Sequence, residues 1–175
     1  VTHQLYGGDW ENRMKQEILL GIGGVRALRE LGLHPTIFHL NEGHAAFACL
    51  ERLRECMQEQ RLDFNESLEL IRASGLFTTH TPVPAGHDSF DEGLLSKYLG
   101  HYPSRYGIAW DYLLSLGKIH PENRDEKFSM SVLAANMSQN VNGVSMLHGK
   151  VSQDIFKDMY KGYLPEELHI SYVTN

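Results

Sequence analysis

Two short apolar runs, each followed at once by a polar cluster, constrain this chain most. Thr36-Ile37-Phe38-His39-Leu40 leads into Asn41-Glu42-Gly43-His44, and Leu76-Phe77-Thr78-Thr79-His80 leads into Thr81-Pro82-Val83-Pro84-Ala85-Gly86-His87-Asp88. Runs this short, bounded by turn formers, read as buried strands. Both deliver imidazoles and carboxylates to one edge of a sheet, and in open α/β sheets the carboxyl edge of the strands is where ligands bind.

The segments between these runs are helical. From Asn12 to Leu31 the apolar residues Met14, Ile18, Leu19, Ile22, Val25, Leu28 and Leu31 recur at three- and four-residue steps and predict one buried helical face. Gly21, Gly23 and Gly24 interrupt it, which points to close packing or a bend, and Gly32 is placed to end it. A second helix is predicted over 44–60, burying Ala45, Phe47, Ala48, Leu50, Leu53 and Met57 and leaving a charged, solvated opposite face. A third opens at Asn65 or Ser67 as polar caps. Leu- and Tyr-rich helical segments fill 90–117, and a polar connection spans 120–127. A helix over 128–137, a strand near 140–144, a helix over 147–160 and a strand over 169–173 complete the reading. Strands alternating with helices predict an α/β fold, a parallel sheet with flanking helices and right-handed crossovers.

Composition narrows the function classes. With 22 acidic against 16 basic side chains the formal charge is −6, which argues against a nucleic-acid or anionic-membrane surface and favours a neutral, polyhydroxylated ligand. No run approaches the roughly 18 apolar residues of a membrane span, and no export signal is read at the amino end. Cys49 and Cys56 lie within one helical pattern, so reduced thiols and a cytoplasmic location are expected. An opening Val1 without a methionine, and a last residue inside a β-rich run, lead us to expect a piece of a longer polypeptide.

The polar clusters carry the chemistry. Asn41, Glu42 and His44 combine an amide, a carboxylate and an imidazole that together can hydrogen-bond several hydroxyls; equally, Asn41 or Glu42 could simply cap the next helix. His80 ends a strand, flanked by the hydroxyls of Thr79 and Thr81 that could fix its tautomer, with Pro82 and Pro84 stiffening the loop; it could instead be a satisfied core histidine. His87-Asp88 supplies a second imidazole beside a carboxylate, or a surface loop in which Asp88 caps the next helix. Asn142-Gly143 reads as backbone chemistry, and His148 as packing or cleft wall. A metal site drawn from His39, Glu42, His44, His80, His87 and Asp88 lacks familiar ligand spacing. There is no nucleophile elbow, and Gly21-Ile22-Gly23-Gly24 sits inside a helix pattern, not in a phosphate loop.

Four motifs in order then resemble one family. They are Gln16-Glu17 with Leu20-Gly21-Ile22-Gly23-Gly24, the stretch 39–47, the stretch 77–88, and Asn142-Gly143-Val144-Ser145 with Leu147-His148-Gly149. Together they resemble the α-glucan (glycogen, starch or maltodextrin) phosphorylases of the shorter bacterial and archaeal branch, from Leu5 to Asn175. Leu133–Ser138 departs from the family pattern by carrying Ala135 and Asn136.

The resemblance implies two Rossmann-like domains facing a cleft, a glycosyltransferase B-type fold, with residues 1–175 a fragment of the amino-terminal domain. It implies reversible phosphorolysis of α-1,4-glucans to α-glucose 1-phosphate, with pyridoxal phosphate as cofactor. The cofactor's lysine and the phosphate-gripping residues would belong to a carboxy-terminal domain absent here, so no cofactor is expected on this fragment and the fragment alone is expected to be inactive. His80 would be the catalytic-site histidine that contacts the glucosyl unit, and Glu42 and His44 would line the same sugar pocket with Asn41 and Thr81. The expected partners are a maltooligosaccharide or longer glucan, phosphate and the missing domain, with self-association through exposed apolar edges. A carbohydrate-binding module without turnover and a metal-dependent hydrolase are the alternatives.

Overall fold

The computed structural model describes residues 1–2, 8–83 and 86–175. Leu5, where the resemblance begins, and Pro84 and Ala85 of the second motif lie outside the described residues. From the amino end, α1 (Trp10–Ile18) runs into a π-helical turn at Leu19–Gly23 and continues as α2 (Gly24–Glu30). Next come β1 (Phe38–Asn41), α3 (Phe47–Glu59), α4 (Phe64–Ala73) and β2 (Gly75–Thr78). A two-residue strand β3 (Ser89–Phe90) precedes α5 (Glu92–Leu99), α6 (Tyr102–Tyr106) and α7 (Trp110–Ser115), then pairs antiparallel with β4 (Phe128–Ser129). Last are α8 (Met130–Asn136), β5 (Asn140–Gly143), α9 (Met146–Phe156) and β6 (Ile170–Tyr172). Strands β1, β2, β5 and β6 form one parallel sheet in that order. The expected α/β architecture is the one observed.

Gly21 explains how the first helix docks. A Cβ there would lie 2.6 Å from the Ala48 backbone nitrogen, so the π-turn packs directly on the start of α3. Gly24 meets nothing within 4 Å and plays no such part. The wider π-turn advances the apolar period by one residue. Met14, Ile22 and Val25 therefore stay buried, while Leu19, expected on the buried face, turns out to solvent at 54% exposure. Leu31, at the helix end, is exposed as well. Gly32, at φ +71°, stops the helix as read from the sequence: its N–H donates to Arg29 O and that of Leu33 to Leu28 O, a Schellman pair.

Three expectations need correction. The charged face of α3 is not solvated: Glu51, Arg52 and Glu55 are buried under α2. Arg26 grips Glu51 through two hydrogen bonds of 2.9 and 3.0 Å, Arg54 adds a third at 2.8 Å, Arg29 pairs with Glu55, and the Arg52 guanidinium lies 3.9 Å from the centre of the Phe38 ring. Second, α4 is capped by Asp63 and not by Asn65 or Ser67, because Asp63 and Glu66 form a reciprocal capping box. Third, α8 starts at Met130 behind the Ser129 cap, since Phe128 is used in the β3–β4 pair. Phe47, Phe77, Phe90, Phe128 and Phe156 are fully buried and anchor the core between the sheet and its helices.

Candidate functional site

A polar ladder crosses three strands just below the carboxyl edge. The Thr78 hydroxyl donates to Asn142 Oδ1 at 3.0 Å and lies 2.8 Å from His39 Nε2. With the hydroxyl proton committed to Asn142, His39 donates from Nε2. Asn142 Nδ2 donates to Gly143 O, so this buried amide serves the backbone as the sequence suggested. His39 is thereby held in the sheet and not offered as a ligand.

One residue beyond the ladder the chain adopts an unusual conformation. Glu42 has φ +68° and ψ 171°, a region populated almost only by glycine, where a side chain costs about 1–3 kcal/mol. Its N–H remains bonded to Thr78 O at 2.9 Å, so the strand pairing holds while the side chain swings across to β2. There Glu42 Oε1 accepts from the His80 backbone N–H and from the Thr81 hydroxyl at 3.2 Å, with His80 Nδ1 at 3.5 Å. Glu42 caps nothing: the turn after it, Gly43–Ala45, has no side-chain cap. Gly43 is required because a Cβ would lie 2.8 Å from the Ser131 nitrogen at the start of α8.

His80 is 39% exposed and Glu42 17%, so the pair opens to solvent. The carboxylate beside Nδ1 favours the tautomer protonated there, which makes Nε2 the acceptor. Thr81 is half-buried beside them. Asn41, the last residue of β1, is exposed and outside this hydrogen-bonded group. His44 stands on the turn behind Glu42, half-buried, and burial followed by the Arg13 charge lowers its pKa.

A second cluster supports the first. Arg13 Nη2 bonds Asp88 at 2.6 Å, and its Nε lies 3.0 Å from Glu17. Asp88 is therefore an ion-pair partner of α1, and the next helix takes its cap position at Asp91. Glu17 is 1% exposed, and burial followed by the Asp88 charge pushes its pKa up to about 9 against the pull of Arg13. His87 Nδ1 lies 2.6 Å from the Ser131 hydroxyl, and burial lowers its pKa. His148 is buried with Nδ1 accepting from the Val144 N–H at 3.3 Å, which fits packing, one of the two roles read from the sequence. Arg13 and Ser131 were missed because they reach this edge from distant helices. Glu17 carried a signal, an acid on the apolar Met14–Ile18 face.

Comparison with known proteins gives the class. Residues 26–175 match the family model described as carbohydrate phosphorylase. The chain is 45% identical over its whole length to glycogen phosphorylase of Mycobacterium tuberculosis, covering 21% of that protein, and 42% identical to maltodextrin phosphorylase of Thermococcus litoralis, covering 20%. It is 30% identical to glycogen phosphorylase of Aquifex aeolicus, covering 25%. The chain thus belongs to the carbohydrate phosphorylase family. It spans about a fifth of the length of the first two relatives.

The residues present do not fit a pyridoxal phosphate site. A Schiff-base lysine is needed, yet Lys15 and Lys97 pair with Glu11 and Lys127 with Asp91, Lys157 and Lys161 lie loosely beside Asp154 and Glu122, and none of these contacts involves Glu42 or His80. Lys118 bonds Asn123 O, and Lys150 lines a cavity with Lys157 and Lys161, away from Glu42 and His80. Among the described residues no three His, Cys, Asp or Glu side chains are placed to share a metal ion, and no helix is long and apolar enough to cross a membrane.

Proposed function

We propose that this chain forms the glucan-facing wall of an enzyme that carries out reversible phosphorolysis of α-1,4-glucans to α-glucose 1-phosphate, as part of the amino-terminal domain of a two-domain phosphorylase. The observation that carries the reading is the Glu42–His80–Thr81 group, built by two adjacent strands at a solvent-open sheet edge in a chain of this family. His80 would accept a hydroxyl of the terminal glucosyl unit at Nε2 while Glu42 holds its backbone and Nδ1 side. Held in this way, the imidazole loses little orientational freedom on binding, which favours a precise sugar position during bond breaking. Thr81 and His44 would flank the same sugar, and Asn41 would reach it from the rim. Arg13 and Asp88 would keep a fixed ion pair behind them, with Glu17 protonated beside it.

The residues that supply phosphate binding and pyridoxal phosphate would come from another domain, as would most of the electrostatic stabilisation of an oxocarbenium-like state. A cytoplasmic setting suits the two free, buried thiols. The test is an assay of the 175-residue chain and of the longer polypeptide containing it, with maltoheptaose and inorganic phosphate. Phosphate-dependent glucose 1-phosphate formation by the longer polypeptide and none by the chain alone is the expected result. Release of free glucose without phosphate uptake would overturn the reading.

A further inference from the structure

Two carboxyls face one guanidinium behind the carboxyl edge. Glu17 shares the buried face of α1 with Met14, is 1% exposed, and neither of its oxygens makes an aligned hydrogen bond among the described residues. Arg13 Nε lies 3.0 Å from Glu17 Oε1 but off-axis, while Arg13 Nη2 bonds Asp88 at 2.6 Å. Burial, and then the Asp88 charge, push the Glu17 carboxyl up to about 9 against the pull of Arg13. With its proton, Glu17 offers an O–H to the Asp88 carboxylate beside the Arg13–Asp88 pair. Without it, two anions compete for Arg13 in a closed space, and one has to leave. Glu17 is shut inside the packed face of a helix, whereas the Asp88 side chain is 26% exposed just before β3, so Asp88 is the one that goes.

Moving Asp88 would be felt at the sheet edge. Its carbonyl accepts from the Met130 N–H at 3.0 Å, and His87 Nδ1 lies 2.6 Å from the Ser131 hydroxyl, so both residues are fastened to the start of α8. Gly43 is packed against that same start with no room for a Cβ, and it directly follows Glu42. A line of contacts therefore runs from Glu17 through Arg13, Asp88 and α8 to Glu42 and His80. The other groups around α1 act elsewhere or earlier. His44, on the turn after Glu42, and His87, which His148 of α9 also faces, are lowered by burial and are neutral in alkaline solution. Lys15 of α1 and Lys97 and Tyr98 of α5 stand against Glu11 at the far end of the helix.

We propose that Glu17 is a positioning residue working as a proton-held latch: protonated, it leaves Arg13 to Asp88 and keeps the start of α8 under Gly43; ionised, it displaces Asp88 and loosens the Glu42–His80–Thr81 group. That this group meets sugar rests on the proposed function; the latch does not. The test is carbon-detected NMR of the carbon-13-labelled 175-residue chain from about pH 7 to about pH 10, with maltoheptaose affinity measured at both ends. The Glu17 carboxyl carbon is expected to titrate near about 9, with the carbonyl carbons of Asp88, Met130, Gly43 and Glu42 shifting at the same midpoint. Glu17→Gln should abolish those carbonyl shifts, and Asp88→Asn, which decides the matter if Glu17→Gln fails to fold, should lower the Glu17 midpoint by about one pH unit or more. Affinity should fall by about 10-fold across the transition in the wild type and stay level in Glu17→Gln. A Glu17 carbon already ionised at about pH 7, still signals at Gly43 and Glu42, the same shifts in Glu17→Gln, or global unfolding at the same midpoint would each overturn the latch. Level affinity across the transition would overturn the positioning role, whereas moving carbons with no sugar bound at either pH would support the latch and count against the proposed function.

Discussion

The two ends of the same sheet are built on opposite terms. At the amino edge the backbone is relaxed: α2 stops in a Schellman pair at Gly32, and the left-handed positions Gly32 and Gly162 are filled by the residue that tolerates them. At the carboxyl edge a glutamate occupies a glycine conformation, a carboxyl is pushed up to about 9 in a closed space, and two imidazoles are driven toward neutrality by burial. The torsion at Glu42 persists because its N–H pairs with Thr78 and its carboxylate with the end of β2, so the surrounding sheet over-determines it.

This contrast can be broken at several points. The largest effect is expected at His80: in the longer polypeptide, His80→Ala should lower glucose 1-phosphate formation by about 100-fold or more with an unchanged melting temperature, whereas Tyr163→Ala, beside His169 at the amino edge, should leave turnover of short maltooligosaccharides unaltered. Comparable losses from both would erase the distinction between the two edges. Next in size is Gly21→Val, which drives side-chain atoms into the α3 backbone; a loss of about 1–3 kcal/mol or more in denaturant unfolding is expected, against under about 1 kcal/mol for Gly24→Val in open space.

Glu17 supplies a pH test. Its folded-state pKa lies above the ordinary 4.5, so the native state holds a proton that the unfolded chain releases. Stability from this group is full below about 4.5 and falls as pH rises toward about 9, with a slope of at most about 1.4 kcal/mol per pH unit. Glu17→Gln should flatten that slope in urea melts taken across this window. A slope equal in both proteins would show that the carboxyl is ionised when folded. The smallest effect is expected for Asp63→Ala, which removes a capping box outside the Glu42–His80–Thr81 group and should cost about 1 kcal/mol without altering sugar binding.

Much of the frame was legible because short apolar runs ending in polar clusters survive intact as β1, β2, β5 and β6, each within a few residues of its expected place. The juxtaposition of Glu42 and His80 followed from adjacent parallel strands of equal length. What stayed hidden depends on contacts between distant segments. The π-turn that exposes Leu19 is set by how closely Gly21 approaches α3, and the β3–β4 pair is too short to show a period. The charged face of α3 looked solvated because nothing in its own residues reveals that Arg26 and Arg29 will cover it. By contrast, the Asp63-to-Glu66 spacing was available in the sequence, and it outweighs the neighbouring Asn65 because only it satisfies two end amides at once.

The backbone at position 42 also bears on how this molecule could be engineered. A glycine there would relieve the torsion, so a variant library sorted only for solubility or heat resistance should accumulate Glu42→Gly. On the proposed function such survivors would be sturdier and deaf to sugar, and any selection on this scaffold has to read binding alongside robustness.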